Sequence, residues 1–333
     1  MSMKNLLLLG AGRIGQVHAK NVVARKDARL YGVVDVHGPA AAALAEATGA
    51  RVFDHADAAL ADPAVDAVMI CTSTDTHVEM ILKAARARKP IFCEKPVDLD
   101  IAKVNTCLAE VKQHGVPLLM GFNRRFDPSF RALRERLKAG ELGEVESVKI
   151  TSRDPQPPPP AYVKVSGGLF RDMMIHDLDM ARYLLPEEPS QVFATGSVLV
   201  DKAIGEAGDV DTAMVILRTR SGRLAHIDNS RRAAYGYDQR VEAFGQKGML
   251  QAHNPTPTAV VATTSAGQQS DKPFHFFLER YASAYQAELE HFLEVLAGKA
   301  TPLVSGEDGR KALLLADAAN ESLRTGKLVE VSL

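Results

Sequence analysis

Gly10-Ala11-Gly12-Arg13-Ile14-Gly15 fits the pattern G-x-G-x-x-G. It follows a short apolar run and opens a helical stretch, the context in which the pattern carries meaning. Gly10 permits the tight turn, Gly12 lets backbone N–H groups approach a pyrophosphate at the helix N-terminus, and Gly15 allows close helix–strand packing. Asp35 closes the next strand, 20 positions after Gly15 (35 − 15). A carboxylate there accepts hydrogen bonds from adenosine ribose hydroxyls and repels a 2′-phosphate. Val36, His37 and Gly38 supply no arginine to hold that phosphate, so the expected cofactor is NAD rather than NADP.

Two further groups could carry proton and charge chemistry. Lys95, in Cys93-Glu94-Lys95-Pro96, falls at a predicted strand end. An amine beside a bound nicotinamide can stabilise negative charge developing on an oxygen. If partly desolvated, it can also exchange protons. Asp172 and His176 stand four residues apart in GGLFRDMMIHD, which on a continuous helix puts both on one face. A carboxylate beside an imidazole orients its tautomer and raises its basicity, as proton transfer near neutral pH requires. Alone, such a pair is more often structural. Combined with Lys95 it supplies basic and electrophilic roles without a metal.

The elements that must position these groups follow from apolar periodicity. Residues 6–9, 30–35, 67–73, 90–96 and 117–122 read as strands, and 13–25, 39–50, 76–89 and 100–114 as helices. This alternation predicts a doubly wound parallel sheet over 1–122. Ligands of such sheets bind beyond the carboxyl ends of the strands, where Cys71-Thr72-Ser73 and Glu94-Lys95-Pro96 fall. Cys71 has no base near it in sequence and reads as a packing residue. Beyond 122, segments 145–154, 191–200, 212–219, 222–232 and 239–245 alternate apolar and polar residues. They predict a largely antiparallel sheet with one exposed face in an α+β domain over 123–333. Its helices are expected near 128–139, 171–185, 279–297 and 306–324. Pro157–Pro160 reads as a stiff extended loop, and 253–273 as a strand pair around a loop.

Composition narrows the function classes. The 333 residues carry 40 Lys+Arg against 41 Asp+Glu, a formal net charge of −1, which removes the electrostatic case for nucleic-acid binding. No stretch approaches the ~20 apolar residues of a membrane helix, and Leu6–Leu9 is too short for a signal peptide's apolar core. Three cysteines without ligand spacing disfavour disulfides and zinc, so a reducing cytoplasm is expected. Zinc-dependent polyol dehydrogenases lack their ligand set here, and no tyrosine has lysine four positions on, as short-chain dehydrogenases need.

GAGRIG (10–15), CEKP (93–96), GFNRRFD (121–127) and GGLFRDMMIHDLDMARYL (167–184) together resemble the glucose–fructose oxidoreductase/inositol dehydrogenase/rhizopine catabolism (Gfo/Idh/MocA) family, in order and across the whole chain. SRDP (152–155), the D-M-x-I-H-D stretch and NSRRAAYGYDQRVEAFG (229–245) are most similar to its inositol-dehydrogenase branch. The resemblance implies a Rossmann domain, an open-faced β-sheet domain and a homotetramer formed through that sheet. Lys95, Asp172 and His176 fall on its catalytic positions. Its cofactor contacts fall on Gly10, Ala11, Gly12, Arg13, Ile14, Asp35, Cys71, Thr72, Ser73, His77, Glu94 and Lys95. Its substrate contacts fall on Lys95, Asn123, Arg124, Asp154, Asp172, His176 and Tyr235. The implied reaction is NAD-dependent oxidation of a cyclic polyol, myo-inositol to 2-keto-myo-inositol (scyllo-inosose). Oxidation of scyllo-inositol or an aldopyranose, and NAD binding without turnover in a regulator, stay open as alternatives.

Overall fold

β1 (Lys4–Leu9) begins the first unit of the computed structural model, which describes residues 3–333. Leu6 to Leu9 are buried on both faces, the pattern of a central parallel strand. The chain continues through α1 (Arg13–Val23), β2 (Ala28–Val34), α2 (Gly38–Thr48), β3 (Arg51–Val52), α3 (Ala56–Ala61), β4 (Ala67–Ile70), α4 (Thr74–Arg86), β5 (Ile91–Glu94), α5 (Ile101–His114) and β6 (Leu118–Gly121). The six strands pair in parallel in the order β3-β2-β1-β4-β5-β6. Strand order therefore reverses direction between β1 and β4, which opens a crevice at their carboxyl ends. α2 and α5 stop at Gly49 and Gly115, whose φ angles of 72° and 67° suit the left-handed cap that glycine supplies.

The second unit opens with α6 (Pro128–Lys138), capped by Asp127 through the backbone N–H groups of Ser129 and Phe130. There follow β7 (Val145–Arg153), α7 (Pro160–Ser166), α8 (Gly168–Asp172), α9 (Ile175–Leu184), β8 (Pro189–Ser197), α10 (Lys202–Glu206), β9 (Thr212–Thr219), β10 (Leu224–Ser230), β11 (Asp238–Gly245) and β12 (Gly248–Ala252). β13 (Val261–Thr264) and β14 (Gly267–Ser270) form a separate exposed hairpin. α11 (Phe277–Arg280), α12 (Ala282–Leu296), α13 (Gly306–Thr325) and β15 (Val329–Glu330) complete the chain. The large sheet runs β12-β11-β7-β10-β9-β8-β15. All its pairings are antiparallel except β7 with β10. Ala213, Val215 and Leu217 of β9 point inward, while Met214 and Ile216 face out with Phe193, Phe244 and Met249.

Several expectations need correction. The cut at 122/123 is not the division the fold makes. One unit comprises the chain to Phe126 plus Ala284–Arg310, and the other comprises Asp127–Ser283 plus Lys311–Leu333. The physical reason lies in the returning segment. The Met120 N–H donates to the Val304 carbonyl at 2.9 Å, and Arg125 bonds Asp308 at 3.1 Å. The helix expected over 171–185 is two helices. The Met174 N–H reaches back five residues to the Leu169 carbonyl at 2.8 Å, inserting an extra residue before α9. Pro160 starts α7 rather than ending a loop, since proline suits the first helical position.

Asp211 organises the connection before β9. Its carboxylate, fully buried, accepts from the backbone N–H groups of Leu199, Val200 and Asp201 at 2.8, 2.8 and 2.9 Å. Burial pushes this carboxyl up, but the three donors outweigh it and hold it below its ordinary range. Its stabilisation is therefore present at neutral pH and is lost as pH falls through the acid range. Asp211→Ala is expected to cost about 3 kcal/mol in urea unfolding at pH 7, with the deficit shrinking at acid pH.

Candidate functional site

At the crevice of the first unit, Gly10 has φ +97°, and a Cβ there would stand 2.5 Å from the Cys71 carbonyl oxygen. No side chain other than glycine's fits. Gly15 is equally closed, with the Gly10 oxygen 2.0 Å from its would-be Cβ. Gly12 is the opposite: nothing lies within 4 Å, and no side chain caps the α1 N-terminus behind it. The space beside Gly12 and the lack of a side-chain cap on α1 fit a dinucleotide pyrophosphate. Asp35 links the second strand end to this turn, accepting from the Ala11 N–H at 2.6 Å and the His37 N–H at 2.7 Å. Arg13 is exposed and Ile14 half-buried beside it.

The neighbouring strand ends carry the rest of this set. Thr72 is half-buried and Ser73 exposed, while Cys71 and His77 are buried. His77 bridges two loops, its Nδ1 lying 2.7 Å from the Pro96 carbonyl and its Nε2 3.1 Å from that of Thr72. The turn after β5 is thereby tied to the turn after β4. Glu94 ends β5 and Lys95 follows it, both half-buried, with a cis peptide between Lys95 and Pro96. Burial, with Glu94 next, pushes the Cys71 thiol well above its ordinary range, so it is no nucleophile at neutral pH. Asn123 and Arg124 lie on a single 3₁₀ turn (Asn123–Phe126), 3% and 5% exposed.

In the second unit a buried guanidinium gathers two of the expected residues. β7 and β10 run parallel, with Arg153 opposite Ser230, so the residues that follow leave the sheet side by side. The Asp154 N–H donates to the Ser230 carbonyl at 2.9 Å. Arg231, 4% exposed, donates to Asp154 at 3.2 Å and to Asp172 at 3.1 Å. The Tyr162 hydroxyl donates to the other Asp172 oxygen at 3.0 Å. Burial pulls the Arg231 guanidinium down, but the Asp172 and Asp154 carboxylates more than offset this and raise it, keeping it charged. Burial and the Asp172 carboxylate hold the Tyr162 phenol above its range and therefore protonated.

Asp172 ends α8 and His176 lies in the first turn of α9, so they belong to different helices rather than to one helical face. The entry to α8 explains the paired glycines, with φ of +87° at Gly167 and +79° at Gly168. A Cβ on Gly168 would stand 2.8 Å from Asp209 Oδ1, and Asp209 accepts from the Leu169 N–H at 2.9 Å. Asp177 is fully buried and accepts from Asn229 at 3.0 Å, which anchors the start of α9 to β10. Tyr235 is held in a separate cluster, donating to Asp238 at 2.6 Å and accepting from Arg153 at 3.1 Å.

Arg231 and Tyr162 are the residues that local pattern reading does not find. Their partners lie 59, 77 and 10 positions away. The tandem arginines of NSRR were the one visible signal. Breaking a buried ion pair leaves its partners unneutralised and costs about 3–5 kcal/mol. Arg231→Met is expected to lower stability by about that amount, and adding Asp172→Asn should restore part of it. Urea unfolding of the two single variants and the double variant checks the coupling.

Comparison with known proteins extends this geometry. The family model described as "Oxidoreductase family, NAD-binding Rossmann fold" matches residues 4–122, and the GFO/IDH/MocA C-terminal domain matches 130–251. The chain is 52% identical over 325 residues to an inositol 2-dehydrogenase of Rhizobium meliloti, covering 98% of each. A crystal structure of a myo-inositol dehydrogenase from Corynebacterium glutamicum aligns with a TM-score of 0.95 at 44% identity, covering 99% of each chain. The scyllo-inositol dehydrogenase of Lactobacillus casei, solved with bound NAD(H) and scyllo-inositol, aligns at 0.92 and 28% identity over 99% of each. Its parallel sheet, glycine turn and second β-sheet unit are accounted for together: the chain belongs to the Gfo/Idh/MocA family of NAD-binding oxidoreductases.

Proposed function

We propose that this protein oxidises a cyclic polyol, myo-inositol to 2-keto-myo-inositol, with NAD as cofactor. The observation that carries the reading is the Asp154–Arg231–Asp172–Tyr162 network, two carboxylates oriented by one buried cation. Paired carboxylates accept hydrogen bonds from several vicinal hydroxyls at once, which suits a ring bearing a hydroxyl on every carbon. The inositol dehydrogenases among its relatives support the same substrate class.

When bound, NAD supplies the hydride acceptor. Gly10, Ala11, Gly12, Arg13 and Ile14 hold its pyrophosphate and Asp35 its adenosine ribose. Thr72, Ser73, His77 and Glu94 line the remainder, with Cys71 packing behind them. His176 takes the proton of the reacting hydroxyl. Lys95 hydrogen-bonds the same oxygen and stabilises its alkoxide character. Asp172 binds a neighbouring hydroxyl and helps set the imidazole, while Asn123, Arg124, Asp154 and Tyr235 complete the substrate contacts.

The assembly is a homotetramer in the cytoplasm. Its support is the outward sheet face, where Phe193, Met214, Ile216, Phe244 and Met249 are 38–49% exposed. Apolar residues gathered on one face mark an association surface. No helix among the described residues is long and apolar enough to cross a membrane.

Absorbance of NADH with purified protein, NAD and a panel of inositol stereoisomers and pyranoses tests the reading. Turnover is expected with myo-inositol above the other members, and none with any polyol would refute it. Lys95→Met and His176→Asn are each expected to lower kcat about 10²–10⁴-fold while leaving NAD affinity within a few-fold. Asp35→Ala is expected to weaken NAD about tenfold and to narrow its preference over NADP. Steady-state kinetics with both cofactors checks this.

A further inference from the structure

Among the buried titratable groups of the first unit that the proposed chemistry leaves unused is a carboxyl. Glu288, on α12, is 0% exposed, and neither of its carboxyl oxygens has a hydrogen-bond partner. An oxygen of Glu288, a ring nitrogen of His18 and an oxygen of Glu94 lie within 4.8 Å of one another. His18 is also 0% exposed, fixed edge-on against Phe92 and Tyr285 with ring centroids 4.8 and 5.7 Å away. Its Nε2 sits 2.7 Å from Glu94 Oε1. Glu94 is confined on its other side, since a Cβ on Gly121 would stand 2.9 Å from Oε2.

We propose that Glu288 is a positioning residue: its buried carboxyl group orients His18, which holds Glu94 and so fixes the strand-end turn carrying Lys95. This rests on the reading that the Glu94–Lys95 turn faces the cofactor. With Nε2 donating to Glu94, Nδ1 is left as an acceptor; it is buried and has no partner, and a carboxylic acid is a neutral group able to donate to it. Burial first, and then the Glu94 carboxylate, push Glu288 well above the usual carboxylate range. That direction favours the neutral acid, which supplies the donor and adds no second negative charge beside Glu94. The groups around it are His18 from α1, Glu94 from β5 and Cys71 just after β4, with Tyr285 of its own helix packed on His18. Nε2 of His18 is engaged by Glu94, while Nδ1 and both Glu288 oxygens are buried with no partner, complementary groups within one cluster.

Calorimetric NAD binding, measured without polyol, separates this inference from the substrate reading. Glu288→Gln keeps a donor and is expected to bind NAD within twofold of wild type. Glu288→Leu keeps the volume but removes the donor, and is expected to weaken NAD at least fivefold. Glu94→Gln is expected to weaken it as well. If Glu288→Leu binds like wild type while Glu94→Gln is impaired, the positioning role is overturned and the cofactor-facing turn stands. If Glu94→Gln binds like wild type, both fall. Should Glu288→Leu fail to fold, alkaline pH decides. Ionisation of Glu288 then weakens NAD binding in wild type but not in Glu288→Gln, and an identical decline in both overturns the proposal. Thermal melts carry the same sign. A raised carboxyl costs the native state stability as pH climbs above the unfolded value, so the Glu288→Gln advantage grows with pH.

Discussion

The second unit's chemistry depends on a balance of charge around Arg231. Asp154 and Asp172 would repel one another if placed together in a half-buried pocket, and each would favour its neutral form. A guanidinium between them reverses the sign of the problem. At about 4 Å in a partly buried setting, each attraction is on the order of 4 kcal/mol. Arginine suits this place better than lysine, because its planar fork meets two carboxylates with separate N–H groups. The observed contacts, Nη1 to Asp154 and Nη2 to Asp172, use the fork in that way. The direction of β7 and β10 makes it possible: parallel partners end on the same side of the sheet, and the residues that follow emerge together.

The first unit solves a different problem, the approach of backbone to an anionic ligand. Its answer is steric. Gly10 and Gly15 are pressed against backbone atoms, whereas Gly12 faces space. The loops around this turn are tied to one another by side chains, Asp35 to the Ala11 N–H and His77 to the carbonyls of Thr72 and Pro96. The strand ends are thus tied to one another by the chain's own side chains, and such ties reduce the ordering cost of binding.

Much of this arrangement was legible from residue order, for identifiable reasons. Parallel strands announce themselves as short apolar runs, and Gly49 and Gly115 mark helix ends because the left-handed cap excludes most other residues. The glycine turn and Asp35 were legible for the same reason, as positions where few residue types can serve. The break at Met173–Met174 was not, because no glycine or proline signals it and the apolar pattern runs straight through. Arg231 was hidden because an ion pair across dozens of residues leaves no local periodicity. Glu288 reads as one more charged residue on an amphipathic helix until the packing shows it enclosed.

The return of residues 284–310 to the first unit has a consequence for how the protein comes into being. A ribosome delivers β1 to β6 early, yet the strand-like strip at Val304–Ser305 that lines β6, and the helix bearing Glu288, are translated near the end. The nascent Rossmann sheet must therefore wait, with one edge uncovered, while the intervening second unit is synthesised. Closure of the nucleotide-holding half is thus a late event, and its exposed edge is a natural client for chaperones during that interval.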